Sequence, residues 1–203
     1  MATTPKQLDL TIYQGRTFRH IVRWETNPVV FKAITAITQG APAEITAVAH
    51  GLKNGWSVAI TDVKGMTQIN ADSNSPKTTD YRPVTVVDVD TITIDGLDSA
   101  SFKAYTSSGY IRYYTPVGLS GYKARLDFKD KVGGTILLSL NETAGITLDD
   151  TNHTITIGIT PAVTTLITWK KAVYDLELES PTGPIDAVLA GSVTVVPEVT
   201  TTP

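Results

Sequence analysis

The chain contains no cysteine, which excludes disulfides and thiolate metal sites; the fold must hold by packing or by assembly with partners. It also lacks any basic run or basic excess. A formal net charge of −3 argues against a general binder of nucleic acid or of an anionic membrane surface. No apolar run approaches the roughly 18 residues of a spanning helix. The N-terminal MATTPKQLDLTIYQG has no apolar centre of the signal-peptide kind, so a soluble chain made in a cytoplasm is expected. Charge is scarce, at 18% of residues, yet hydrophobic residues reach 41%, enough to bury a core.

What the sequence has in abundance is threonine, valine and isoleucine in alternation, punctuated by 15 glycines and 11 prolines. Short strands with frequent turn signals predict an all-β protein. The clearest strand is Val173–Glu179, where Tyr174, Leu176 and Leu178 alternate with Asp175, Glu177 and Glu179. Ser180-Pro181-Thr182-Gly183-Pro184 reverses the chain, and an apolar pattern resumes to Val196, so a C-terminal antiparallel hairpin is expected. One short helix is predicted at about 161–168. Thr160-Pro161 supplies its start, and Val163, Leu166 and Ile167 form its apolar face.

Residues 1–7 and 197–203 read as tails that order only against partners. Leu8–Trp24 reads as a strand, a Gln14-Gly15 turn and a second strand ended by Asn27-Pro28; the second strand has Phe18, His20, Val22 and Trp24 on one face. These strands need a sheet to join, so they are expected in one common sheet with the C-terminal hairpin. Between them lies a different composition. Strands at 44–49, 56–63, 81–88 and 91–94 are separated by a His50–Gly55 turn and by a polar loop, Asp72–Asp80. Phe102–Tyr114 reads as a hairpin turned at Ser107-Ser108-Gly109. The predicted organisation is an antiparallel β-sandwich from 1–28 and 115–203, with a small β-barrel, 29–114, inserted in a loop.

Chemistry-bearing constellations are sparse. His20, His50 and His153 each stand alone, with no carboxylate at ligand spacing, and His50 is expected to hydrogen-bond its own turn. Asp88, Asp90, Asp95 and Asp98 spread along a hairpin rather than a tight calcium loop, and Asp149-Asp150 sits in a turn. There is no Gly-x-Ser-x-Gly elbow, and Gly133-Gly134 lacks the Lys-Ser/Thr and the helix of a phosphate loop. No catalytic residue, cofactor or metal is expected. Trp24, Trp56, Trp169, Tyr105, Tyr110, Tyr113 and Tyr114 could fill a core or interface, or build a sugar platform.

Two resemblances extend this reading. The run ITAVAHGLKNGWSVAITDVKGMTQIN, with YRPVTVVDVDTITIDGLDSASFKAYTSSGYI, resembles the small β-barrel called the first catalytic cysteine half-domain of ubiquitin-activating enzymes. Barrels of that pattern recur in tailed-phage virion proteins, and the resemblance carries no catalytic residue to this cysteine-free chain. Outside it, LDLTIYQGRTFRHIVRW, LSGYKARLDFKDKVGGTILLSL, AGITL, TITIGIT, VYDLELESPTG and GSVTVVPEVT resemble short phage virion proteins. These in turn are similar to the N-terminal β-sandwich module of phage baseplate upper proteins. The resemblance implies a non-enzymatic bacteriophage virion protein, made in the host bacterial cytoplasm. Its first expected place is the tail or baseplate, as an adaptor or fibre-attachment component; a capsid decoration protein is the second placement. Its expected partners are other virion proteins and copies of itself. The rival class is a host carbohydrate-binding module touching a surface glycan.

Overall fold

The computed structural model describes residues 5–199. The chain divides into two compact units, one made of the described residues up to Trp24 with those from Pro116 onward, the other of Glu25–Thr115. The first unit starts with strands β1 (Lys6–Gln7), β2 (Leu10–Tyr13) and β3 (Phe18–Val22). The second carries β4 (Glu25–Ala33), β5 (Ala36–Ile37), β6 (Glu44–Thr46), β7 (Ser57–Thr61), β8 (Arg82–Val86), β9 (Thr91–Ile94) and β10 (Tyr110–Pro116), the last running just into the boundary. The first unit is completed by β11 (Lys123–Lys129), β12 (Ile136–Asn141), β13 (Ile146–Asp149), β14 (Thr154–Ile159), helix α1 (Pro161–Thr165), β15 (Lys171–Glu179) and β16 (Ile185–Val196). The protein is all-β, as its alternating sequence predicts.

In the first unit a six-stranded sheet runs in the order β1-β16-β15-β11-β12, with β2 also on β16, and a second sheet runs β13-β14-β3. The inward residues of both sheets, among them Ile12, Leu126, Phe128, Ile155, Ile157, Leu176 and Leu178, form one core. This is a two-layer sandwich. Each fully buried aliphatic side chain contributes about 1.5–3 kcal/mol of burial. The alternation in β15 is realised residue by residue: Tyr174, Leu176 and Leu178 are buried, and Asp175 and Glu179 are exposed. Its charged face continues onto β11, where Arg125 stands across from Glu177 and Asp127 across from Asp175.

Several expectations are corrected here. Lys6–Gln7 is not a tail, since it pairs with Leu189–Ala190 of β16. Residues 1–4 and 200–203 lie outside the described residues, and with them the ends of both expected tails. The N-terminal strands do not share one sheet. Leu10–Tyr13 pairs with Val193–Val196, whereas Phe18–Val22 pairs with β14 in the opposite layer. The turn at Gln14-Gly15 carries the chain between layers. It is held by Gln14 Nε2, which donates to the carbonyls of Thr165 and Ile167. Both contacts of the N-terminal segment with β16 are parallel, whereas the other described strand pairs of this unit are antiparallel. Between them β16 passes Gly191, where any side chain would run into the Leu8 carbonyl. Asp9 accepts hydrogen bonds there from the Ser192 N–H and hydroxyl, at 2.9 and 2.7 Å. Helix α1 buries Thr164 and is followed by buried Ile167, while Val163 and Leu166 are exposed, Leu166 by 78%. The Thr164 hydroxyl donates to the Arg16 carbonyl, a polar anchor that hydrophobic spacing alone does not show.

The second unit is a single curled half-barrel of seven strands in the order β4-β10-β7-β8-β9-β6-β5. Its core gathers Ile45, Trp56, Val58, Met66, Val84, Ile92, Ile94 and Ile111. Asn27-Pro28 does not end a strand; it lies inside β4. β4 is the outer strand of its sheet, the place in a sheet where proline is tolerated. Accordingly Glu25–Pro28 belong to this unit, with the boundary at Trp24/Glu25 rather than at 28/29. Phe102–Thr106 is not a strand either. Phe102 and Tyr105, three apart, both turn to the core, and the Tyr105 hydroxyl donates to the Ile34 carbonyl.

Candidate functional site

Of the expected histidines, His50 serves the fold. His50 is buried in its turn. Its Nδ1 accepts the Leu52 N–H at 3.0 Å, so Nε2 carries the proton and donates to the Asp88 carbonyl, also at 3.0 Å. His20 lies on β3 opposite Ile157, and its pKa is lowered by burial and then by the charge of Lys6. His153 occupies the turn before β14 with φ 52°. Among the described residues, no three of His, Cys, Asp and Glu gather closely enough to hold a metal ion.

The acidic residues hold turns. Asp88 accepts the Asp90 N–H, Asp90 the Ala49 N–H, Asp95 the Thr85 hydroxyl and Asp98 the Ala100 N–H. Asp149 accepts from both the side chain and the backbone of Asn152, which holds its pKa below the usual carboxylate range. Asp150 accepts the N–H groups of Leu119 and Ser120. Gly133-Gly134 closes the turn between β11 and β12, where Asp130 accepts the Thr135 N–H. On the outer face of the six-stranded sheet, Asp9, Asp127, Lys129 and Asp175 line an open depression of about 410 Å³. Partial shielding from water by its neighbours, and next the charge of Glu177, raises the pKa of the otherwise exposed Asp175. Asp127 already accepts the Ser139 hydroxyl. Ser192 also lines it, with its hydroxyl on Asp9, a carboxylate whose pKa is lowered first by the Ser192 N–H and which is therefore a weak base.

The aromatics divide in two. Trp56 and Tyr113 are core, and the Tyr113 hydroxyl donates to the His50 carbonyl at 2.7 Å. Tyr105 is pinned as described above. In the first unit, Trp24 meets the edge of Tyr122 and Trp169 lies against Phe128. Tyr110 and Tyr114 are different. They alternate along β10 with buried Ile111 and Tyr113, and so point away from the core with Arg112 between them. Phe31, from the neighbouring β4, stands perpendicular to Tyr110 at 6.1 Å between centroids; the two rings are 51% and 42% exposed. The Arg112 guanidinium lies 5.2 Å over the Phe31 ring, and its Nη1 donates to the Ser73 carbonyl in the Asp72–Asp80 loop. Tyr81, at the end of that loop, stacks on Tyr114 at 5.7 Å and 30°. Burial and then the neighbouring Tyr114 raise the Tyr81 pKa.

Phe31, Tyr81, Tyr110, Arg112 and Tyr114 therefore make one aromatic–cationic face on the second unit. Sequence reading singled out Tyr110 and Tyr114 but not Arg112, Phe31 or Tyr81. Arg112 was findable, since Tyr110-Ile111-Arg112-Tyr113-Tyr114 puts it midway between two outward tyrosines in any strand. Phe31 and Tyr81 come from remote parts of the chain and only the sheet order brings them in. The face can desolvate apolar groups against Phe31 and Tyr110 while presenting a positive charge. Tyr, Phe and Arg of this kind dominate protein–protein contacts.

Residues 42–114 match the family described as the ubiquitin-activating enzyme E1 FCCH domain. The match covers β6 to nearly all of β10 and leaves the first unit outside. No curated protein sequence matches the chain. The buried His50 turn and Gly65 lie inside the matched stretch. At Gly65 φ is +81° and any side chain would strike the Ala104 carbonyl.

Proposed function

We propose that this protein is a non-enzymatic structural component of a tailed-bacteriophage virion that works by assembly, with its first place at the tail or baseplate as an adaptor. The observation that carries the reading is the Phe31–Tyr110–Arg112 cluster across β4 and β10, in which Phe31 and Tyr110 are exposed, with half-buried Tyr81 and Tyr114 beside it. It has the composition of a protein-docking hot spot. The sequence resemblance of the outer strands to phage virion proteins supports the placement. Capsid decoration is the alternative placement. Carbohydrate binding is less favoured by the geometry, because Phe31 and Tyr110 are perpendicular, at 87°, and offer no flat platform for a sugar ring.

The test is mass spectrometry and immuno-electron microscopy of purified phage particles that encode the chain. A fixed copy number at one position is expected. The triple variant Phe31→Ala, Tyr110→Ala, Arg112→Ala should fold yet be lost from particles. Particles that lack the chain overturn the reading, and saccharide binding abolished by Tyr110→Ala would replace it with the carbohydrate one.

A further inference from the structure

The aromatic face of the second unit holds one cation, Arg112, and no carboxylate. The guanidinium is only partly used. Its Nη1 donates to the Ser73 carbonyl, its central carbon lies 5.2 Å from the centre of the Phe31 ring, and its Nε is buried without a hydrogen-bond partner. Nη2 has no partner among the described residues, and no described carboxylate forms an ion pair with Arg112. A carbonyl and a ring attract the cation without neutralising it. The charges nearest in sequence to these residues are spent elsewhere. Asp72 accepts the N–H groups of Asn74 and Ser75, and Asp80 accepts the N–H of Lys77, so both acids hold their own loop. Lys32, next to Phe31, donates to the Ala49 carbonyl.

On the reading of this face as a docking surface, we propose that its occupant is another virion protein that sets one carboxylate on Arg112 and a large apolar side chain against Phe31 and Tyr110. Charge selects that occupant. A carboxylate is the partner that meets a guanidinium with a charge-assisted hydrogen bond. A second copy docked through the same face about a two-fold axis would bring Arg112 toward its own copy, cation toward cation. Nucleic acid and anionic membrane surfaces are held by many cations acting together. This face offers one, and the adjoining loop, with Asp72, Lys77 and Asp80, adds a net negative charge that repels a polyanion. The exposed Phe31 and Tyr110 rings add apolar area that a carboxylate alone would leave wet, so the partner brings an apolar side chain as well. Tyr110 and Arg112 are two residues apart on one strand, which places the partner's apolar side chain and carboxylate about 7 Å from each other.

The experiment is a competition for places in the particle. Cells infected by phage that encode the chain supply wild-type and variant chain in equal amounts, and mass spectrometry of purified particles reads the ratio incorporated. Arg112→Gln should be disfavoured roughly tenfold or more, and Arg112→Glu further still. Arg112→Lys, which keeps the charge, should be disfavoured less than Arg112→Gln. Melting curves of the purified variants separate lost docking from lost folding. Selection for Arg112→Glu particles that regain the chain should return a change of Asp or Glu to Lys or Arg in another virion protein. An incorporation ratio that follows melting temperature but not the sign of the charge overturns the proposal. So does compensation that touches no carboxylate, or that falls within this chain and so names a second copy as the occupant. Particles that carry the wild-type chain and accept Arg112→Glu equally well overturn this proposal alone. Particles that lack the wild-type chain overturn the virion reading along with it.

Discussion

The two units solve the same problem, a β fold without disulfides, in opposite ways. The sandwich relies on long ladders: β15 and β16 pair from Lys171 to Glu179, and β11 pairs along all of its length with β15. Charges on their outer faces decorate the ladder without supporting it. The half-barrel has strands as short as two or three residues and fastens them with side chains that bond backbone. Asn54 accepts the Val86 N–H, and Asn70 bonds both the N–H and the carbonyl of Val63. His50 bridges Leu52 and Asp88, and the Ser99 hydroxyl donates to the carbonyls of Thr38 and Gly40. Where ladders are short, specific polar side chains must satisfy the backbone instead. That is a physical reason for a recognisable sequence pattern in the half-barrel, the stretch that matches a family, whereas apolar alternation in the sandwich can be met by many sequences.

The largest expected effect tests the sandwich. Phe128→Ala, at a fully buried site between Trp169 and Tyr174, should cost about 3–5 kcal/mol in denaturant unfolding followed by first-unit probes. Next, His50→Ala should destabilise the half-barrel by about 2–4 kcal/mol, because it leaves the Leu52 N–H and the Asp88 carbonyl without partners. Hydrogen exchange should show the loss at Leu52. If His50→Ala costs no more than an exposed substitution, the contrast between ladder and staple fails. Tyr113→Phe removes one buried bond to the His50 carbonyl and should cost about 1 kcal/mol. Smallest is Arg125→Ala, which breaks an ion pair to Glu177 on the outer face of the ladder. With Arg125 61% exposed, the loss should stay below about 1 kcal/mol and shrink in salt.

Acid should also separate the units. His20 in the sandwich has a lowered pKa, so the unfolded chain takes up its proton first. Stability from this group is complete above the unfolded value of about 6.5 and falls as pH drops below it, toward the folded value. His20→Gln should flatten the stability–pH curve of the first unit in that window, as measured by melting temperature. The carboxylates with lowered pKa values, Asp9 and Asp149 in the sandwich and Asp88 in the half-barrel, act lower. Their contribution is present above about 3.9 and is lost as pH falls further.

Much of the fold was legible because period two is local: β15, the β8–β9 hairpin and the turn role of His50 each depend on residues close in sequence. The reading failed where a distant partner decides. Phe18–Val22 has the alternation of a strand but no mark of which layer it joins. Asn27-Pro28 looks like a stop, yet it lies inside an edge strand. Val163 and Leu166 look like the buried side of a helix, yet the Thr164 hydroxyl, bonded to Arg16, turns that side outward. The aromatic face was half-legible for the same reason, since Tyr110, Arg112 and Tyr114 share one strand while Phe31 and Tyr81 do not.

By itself, then, the order of residues determined an all-β protein without thiol chemistry, many of its turn positions, and which side of most strands is dry. Those properties follow from backbone geometry and the cost of leaving apolar groups in water, which act within a few residues. Only the tertiary structure decided which strands are neighbours, which strand lies on an edge, and which rings meet on one face. Pairing is a competition between segments far apart in the chain, settled by the total burial and hydrogen bonding of each arrangement and not by any one stretch of sequence.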